Sequence, residues 1–346
     1  MSEEISRAKE FKILSIDGGG IKGLYSAVVL AEIEKKNGSI AEHFDLICGT
    51  STGGIIALAL AAGKSATEIV DFYKKFGPRI FYNPIFLVKW FRSAKQVVWG
   101  GKYSDCYLRK SLESVMGDKK IKDSNSYLCI PSYDLTTGRI NVLKTDHGTK
   151  LTRDSELSMV EVALATAAAP TYFPIAKIDG IPGGQFVDGG IWANNPSLVG
   201  INEALRFFVG EGKQYQSFRV LSIASITNNT SWPAGVRRRR SFASWGGKLI
   251  NIIFDAQSEY TRAVLQFLIP QISPKGAVTI IDGPQLSEDQ AKVIDLDKAS
   301  KKALITLERL GHDKGHCWNT HDDIKAFFKT VAANPIFYTS ENQGGE

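Results

Sequence analysis

The stretch FKILSIDGGGIKGLYSAVVLAEIEKKNG, residues 11–38, and its sequel FDLICGTSTGGIIALALAAG, residues 44–63, decide the fold. FKILSID is a short apolar run that three glycines stop, which is the signature of a buried strand. From Ile21 the apolar residues take helical spacing and end at Asn37-Gly38, a helix stop. FDLICG reads as a second strand and TGGIIALALAAG as a helix of small residues closed by Gly63. ATEIVDFYKKF is a third helix, with Ser65 or Thr67 as its cap. Strand, helix, strand, helix in this order predicts an α/β fold: a mainly parallel central sheet with helices on both faces.

Outward from this core, further strands are expected at Tyr127–Asp134, Arg139–Thr145, Gln185–Gly189 and Phe218–Ser225. Helices are expected at Leu157–Ala169, stopped before Pro170, and after Asn195-Pro196 in SLVGINEALRFF. Beyond Ser241 the spacing is helical throughout: SWGGKLINIIFDAQSEYTRAVLQFL, one or two helices between Ser287 and Leu310, and DDIKAFFKTVAAN. No repeat or low-complexity segment divides the chain. The organisation read here is a catalytic unit over residues 10–225 and a helical C-terminal extension over 226–340, packed on the same domain.

The 346 residues are 43% hydrophobic and 23% charged, ordinary for a globular protein. There is no uninterrupted apolar run of spanning length, and MSEEISRAKEF lacks the charge and apolar pattern of a signal peptide. Cys48, Cys106, Cys129 and Cys317 show no CxxC pair, which fits reduced thiols in the cytoplasm. The net charge of +6 is too mild to indicate a nucleic acid polymer. The five histidines contain no HExxH. His312 and His316 lie four apart with no evident third ligand, so neither a metal nor a cofactor is expected.

Asp17-Gly18-Gly19-Gly20-Ile21-Lys22-Gly23 joins the first strand to its helix, where glycines let bare N–H groups face a negative group. Gly18, Gly20 and Gly23 formally satisfy the dinucleotide fingerprint, but the following strand does not end in an acidic residue. A nucleotide-binding dehydrogenase therefore stands as the weaker alternative, and a Walker A loop is absent. An oxyanion hole is the other use of such a loop. Gly49-Thr50-Ser51-Thr52-Gly53 matches G-x-S-x-G at a strand-to-helix junction, which exposes the Ser51 hydroxyl at a helix N-terminus. Adjacent parallel strands would bring both loops to one rim. For the base, Ser51, Asp188 and His312 or His316 run in triad order. Val187-Asp188-Gly189-Gly190, just past a strand, instead offers Asp188 as a direct partner for Ser51.

These pieces, DGGGIKG (17–23), GTSTGG (49–54) and DGGIWANNP (188–196), resemble the patatin-like phospholipase family over roughly residues 10 to 225. The resemblance implies a three-layer patatin-like fold and a catalytic dyad without histidine. It makes Ser51 the nucleophile, Asp188 the base, and Gly18, Gly19 and Gly20 the oxyanion donors. Gly23, Gly49, Gly53, Gly189 and Gly190 support the motifs, and Lys22 matches the family's basic residue near the glycine loop. The implied activity is that of a serine hydrolase of the phospholipase A1/A2 type, cleaving fatty-acyl esters of membrane phospholipids.

Residues 72–99 hold nine of the 35 aromatics and six Lys or Arg, a lid-like composition suited to a bilayer headgroup layer. Arg237–Arg240 could meet an anionic headgroup or a phosphate-bearing regulator. The compact chain also resembles bacterial phospholipases switched on by cyclic dinucleotides, cGAMP among them, in antiphage defence. That resemblance implies a cyclic dinucleotide activator, action at the inner membrane face and a possible homo-oligomer. The alternative is an ungated neutral-lipid or general esterase.

Overall fold

The computed structural model describes residues 10–81, 102–149, 151–227, 248–272 and 276–338, with single positions at 235, 239 and 245. In chain order these residues form β1 (Glu10–Ile16), α1 (Gly23–Asn37), β2 (Leu46–Gly49), α2 (Thr52–Ala61), α3 (Ala66–Ile80), α4 (Cys106–Met116), β3 (Tyr127–Asp134), β4 (Arg139–Lys144), α5 (Met159–Thr166), β5 (Phe186–Asp188), α6 (Ser197–Phe207), β6 (Ser217–Ile223), α7 (Lys248–Ala263), β7 (Gly276–Ile281), α8 (Lys301–Trp318) and α9 (Asp322–Phe327). A one-turn helix, Gly190–Ala193, follows β5. Ser65, not Thr67, caps α3. Its hydroxyl accepts from Glu68 N–H at 3.2 Å, and the Glu68 carboxylate accepts from Ser65 N–H at 2.9 Å.

The described strands make one sheet in the order β4-β3-β2-β1-β6-β7. β1, β2, β3, β6 and β7 run parallel, while β4 lies antiparallel on β3. Alternation along β1 shows why its whole run is apolar. Phe11 and Ile13 pack on one face with Ile201 and Ala204 of α6. Leu14 and Ile16 enter the other face with residues of α1 and α2. A strand buried on both faces has no polar side to show. This is the α/β, helix-flanked, mainly parallel sheet expected.

Register places the site. Ile16 pairs with both Gly49 and Ile223, so β1, β2 and β6 end level and their following loops share one rim. β3 is longer than its neighbour: its pairing with β2 ends at Cys129, opposite Cys48, and β3 runs on to Asp134. The edge left open beyond Cys129 is taken by β5, antiparallel, with Ser132 opposite Asp188. β4 occupies the other edge of β3 along the same residues. A three-residue strand thus delivers Asp188 to the place where the chain has just turned away at Gly49.

The C-terminal region is helical as expected, with one addition. GAVTII (276–281) forms β7, a parallel strand on β6. Its residues alternate less clearly than those of a half-exposed strand, which hid it in the sequence. Leu307, Ile324 and Phe327 lie in the same core cluster as Leu14 and Ile56, and the Phe327 ring stacks on Phe44 at 5.2 Å. Of the aromatic, basic segment 72–99, Phe72, Tyr73 and Ile80 are buried faces of α3. The remainder beyond 81 lies outside the described residues, as do Arg237, Arg238 and Arg240.

Phe327 is fully buried. Phe327→Ala is expected to lower unfolding free energy by about 3–5 kcal/mol, as for other large core truncations. The check is the urea midpoint. A shift confined to the C-terminal helices, with the sheet unaffected, would show that the two parts unfold separately.

Candidate active site

β2 ends at Gly49 and α2 begins at Thr52, so the turn has two residues. Ser51 takes φ 55° and ψ −124°, a backbone region that side-chain-bearing residues avoid, at a cost of about 1–3 kcal/mol. Hydrogen bonds from three directions hold it there. Ser51 N–H donates to Thr166 Oγ1 at 3.0 Å, Thr50 Oγ1 donates to the Ala193 carbonyl at 2.6 Å, and Thr50 N–H donates to the Ile16 carbonyl at 3.2 Å. The two glycines of G-x-S-x-G are needed because strand end and helix start nearly touch. A Cβ on Gly49 would lie 2.1 Å from the Gly53 carbonyl oxygen, and one on Gly53 would lie 2.2 Å from that of Ile16.

The strained turn aims the Ser51 hydroxyl at Asp188, to whose Oδ2 it donates at 2.6 Å. The other carboxylate oxygen accepts Gly190 N–H at 2.7 Å, and Asp188 N–H is fixed by the Ala168 carbonyl at 3.0 Å. Asp188 is fully buried and Ser51 nearly so. Burial pushes the Asp188 carboxyl up to about 7, against the opposing pull of the Ser51 and Gly190 hydrogen bonds. A carboxylate of that basicity, in contact with a hydroxyl, can accept its proton near neutral pH.

The glycine loop divides its N–H groups. Gly18 donates to the Asn194 carbonyl at 3.0 Å and Gly19 to Thr52 Oγ1 at 3.2 Å. Gly20 sits at φ +59° and its N–H has no partner among the described residues. Of the three expected donors, Gly20 is the one left free in this arrangement, and the first-turn Thr52 N–H of α2 is unpaired as well. DGGIWANNP ties the rim together. Asn194 Nδ2 donates to Ser258 Oγ at 2.9 Å and Asn195 Nδ2 to Ser222 Oγ at 3.1 Å. Behind the loop, Asp17 is buried and its carboxyl is pushed up to about 7, chiefly by desolvation, while Arg262 and the Ser258 hydroxyl pull it down. Lys22 donates to the Ile226 carbonyl at 2.6 Å. Its burial lowers the ammonium pKa, with Asp255, Asp295 and Asp17 opposing.

A narrow apolar cleft opens beside Ser51. Ile55, Phe72, Ile80, Leu108, Phe173 and Phe254 give it an apolar wall, with Gly20 and Thr52 near the serine. The chemistry of that wall suits hydrocarbon rather than a polar ligand.

The other candidates fall elsewhere. Among the described residues no histidine lines the cleft. His312 pairs with Glu32 at 2.9 Å on the α1–α8 seam. His147 pairs with Glu203 at 3.0 Å near the start of β3, at the opposite rim. No set of metal-ligating side chains occurs among the described residues. The acid that a dinucleotide fold would place at the loop rim is not there. Asp45 precedes β2 at the far rim, where it accepts Lys12 N–H at 2.8 Å and Tyr215 O–H at 3.1 Å. Gly18, Gly20 and Gly23 instead lie close against Asn194, Leu296 and Tyr73 respectively. Thr166 was not singled out in the sequence. It accepts from Ser51 and donates to the Pro131 carbonyl at 2.6 Å, and only its place in the small-residue helix LATAAA hinted at close packing.

A family model described as patatin-like phospholipase matches residues 14–200. A protein of Pseudomonas aeruginosa named cGAMP-activated phospholipase is 34% identical, over 96% of this chain and 96% of its own. One of the same name from Escherichia coli is 37% identical, covering 93% of each. Patatin-like protein 2 of Arabidopsis thaliana is 34% identical over 84% of this chain and 81% of its own.

Two outcomes test the site's construction. The folded Asp188 holds its proton to about 7, above its ordinary 3.8. Between those values the folded state therefore binds the proton more tightly than the unfolded state, and stability falls as pH rises. Asp188→Asn removes that penalty, so its stability relative to the parent is expected to grow from pH 5 to pH 8, by on the order of 2 kcal/mol. Melting at the two pH values checks it, and a constant difference would contradict it. Thr166→Val leaves Ser51 N–H without its acceptor and is expected to lose about 1–3 kcal/mol of stability, read from the urea midpoint.

Proposed function

The chain belongs to the patatin-like phospholipase family, and from that premise we propose that it is a phospholipase A that releases fatty acid from membrane phospholipids through a Ser51–Asp188 dyad. The observation that carries this is the 2.6 Å hydrogen bond from the Ser51 hydroxyl to a buried Asp188 whose basicity is raised. Ser51 Oγ attacks the ester carbonyl carbon while its proton passes to Asp188. The oxyanion that forms is held by N–H groups of the glycine loop, Gly20 foremost, and by Thr52 N–H. Each such donor is worth about 2.7–4 kcal/mol in the transition state. Collapse of the tetrahedral species expels the lysolipid alkoxide, which takes the proton from Asp188. A water then gives its proton to Asp188 and attacks the acyl-enzyme. The second collapse returns the proton to Ser51 and frees the fatty acid. The apolar cleft supports an acyl chain as the bound part of the substrate.

The enzyme is further proposed to be gated by a cyclic dinucleotide and to act as an antiphage effector at the inner face of the membrane. The names of the Pseudomonas aeruginosa and Escherichia coli relatives support cGAMP as the first candidate. Support for gating comes from the contacts that the region after residue 226 makes with the glycine loop. Ser258 of α7 donates to Asp17 at 3.2 Å and accepts from Asn194, so a shift of α7 would move the glycine loop. Among the described residues no helix is long and apolar enough to cross a membrane.

Purified protein is expected to release fatty acid from phospholipid vesicles when cGAMP is added and far less without it. Ser51→Ala and Asp188→Asn are each expected to lower the rate by at least about a thousandfold. Equal rates with and without cyclic dinucleotides would leave an ungated esterase. More than a few per cent of activity in Asp188→Asn would point to a different base.

A further inference from the structure

Ahead of α8 the chain reads Ile294-Asp295-Leu296-Asp297, a short strap outside any helix or strand. Its apolar residues point inward: Ile294 joins the main core, and Leu296 is buried and lines the cleft. Its acids hold other parts of the chain. Asp295 Oδ1 accepts Leu296 N–H at 2.9 Å and Asn251 Nδ2 of α7 at 3.3 Å. Asp297 Oδ2 accepts the Tyr103 hydroxyl at 2.9 Å and also takes the Lys102 ammonium.

The strap bears on the glycine loop through its backbone. The Leu296 carbonyl accepts Ile21 N–H at 2.8 Å, and a Cβ on Gly20 would lie 2.1 Å from that same oxygen. Gly20 therefore rests directly on the strap, and it lines the cleft together with Ser51. It is also the loop glycine whose N–H has no partner among the described residues. On the other side, Tyr103 holds the cleft wall. Its ring centroid lies 5.7 Å from that of Phe81 and 5.8 Å from that of Phe173, both cleft residues. Tyr103 N–H donates to the Tyr172 carbonyl at 2.7 Å and Lys102 N–H to that of Thr171 at 2.9 Å. Thr171 takes φ 71°, which a β-branched residue avoids, so this stretch of wall needs its two backbone tethers. One ester must lie along the wall and place its carbonyl at Gly20 at the same time. The strap spans those two points.

We propose that Asp297 and Tyr103 are positioning residues for the oxyanion donor: their hydrogen bond locks the strap to the cleft wall, and the locked Leu296 carbonyl sets Gly20 where its N–H meets the developing oxyanion. This rests on the hydrolase reading above. Neither side chain touches the reacting atoms, and both act through Leu296 and Gly20.

Tyr103→Phe removes only the hydroxyl and keeps the ring in place. Asp297→Ala removes the acceptor, and Asp297→Asn restores an acceptor for the hydroxyl without the charge. Hydrolysis of p-nitrophenyl butyrate is measured with cGAMP present, and rates are expressed per Ser51 titrated with a fluorophosphonate, so that misfolded protein does not count. Tyr103→Phe and Asp297→Ala are each expected to lower kcat by about tenfold to a hundredfold, the effect of a small misplacement of a catalytic group. KM is expected to stay within about twofold, because an oxyanion contact exists only in the transition state. Asp297→Asn is expected to recover most of the Asp297→Ala loss, since an ion pair to a partly exposed lysine contributes little. Inhibition by octyl trifluoromethyl ketone, whose adduct with Ser51 carries an oxyanion, is expected to weaken by the same factor as kcat. Inhibition by octyl methyl ketone, which occupies the cleft without that adduct, is expected to stay as in the parent. Parent-like kcat in both variants, a loss confined to KM, or equal weakening of the two ketones would overturn this inference alone. A parent that neither cleaves the ester nor reacts with the fluorophosphonate would overturn the hydrolase reading, and this inference with it.

Discussion

The hydrogen bond between Ser51 and Asp188 joins residues 137 positions apart, and the layout of the sheet can be understood as what it takes to form it. Ser51 needs a turn tight enough to lift its hydroxyl out of line with the helix it precedes. Asp188 needs a partner strand that ends at the same rim. β3 supplies both conditions by outrunning β2, which leaves an edge for β5 opposite Ser132. The rest of the rim follows from that pairing. Thr166 pins the turn from one side, the Ala193 carbonyl from another, and the NNP segment clips the glycine loop to the same cluster.

The site is costly for the fold. Two acids, Asp17 and Asp188, are buried at one rim and both are pushed up to about 7 by desolvation. Ser51 adds backbone strain to that. Buried groups held against their preference are common where chemistry is done. They persist here because a parallel sheet covered on both faces supplies a large apolar core around them. The two acids differ in company. Asp188 has only a hydroxyl and a backbone N–H, which leaves its proton exchange directed at Ser51. Asp17 faces Arg262 and Ser258 and lies near Lys22, which makes it part of the loop's support.

Much of this was legible in the sequence, because the decisive stretches are local. FKILSID-GGG and FDLICG-TSTGG each carry a strand, a turn and a helix start within a dozen residues, so register and rim follow once the strands lie side by side. Asp188 was legible through the glycines after it. What could not be read was which edge β5 would take, since a strand of three residues has no pattern to specify a partner. Thr166 was invisible because its role is a hydrogen bond across 115 residues, inside a helix that otherwise reads as packing. The division of labour among Gly18, Gly19 and Gly20 depends on Asn194 and Thr52, which no spacing within the loop announces. β7 was missed because GAVTII lies between helical stretches and joins the sheet only through β6.

The region after residue 226 completes both the core and the surroundings of the glycine loop, through Phe327 on one side of the molecule and Ser258 on the other. The position of α7 is therefore physically connected to that of the glycine loop. The central claim, that buried Asp188 is the base for Ser51, is tested most directly by the rate at which a fluorophosphonate labels Ser51 as pH is varied. The account predicts a rate that rises with pH through a midpoint near 7, as Asp188 loses its proton, and labelling that nearly disappears in Asp188→Asn. Labelling of Asp188→Asn at the parent's rate and with the parent's pH profile would contradict it.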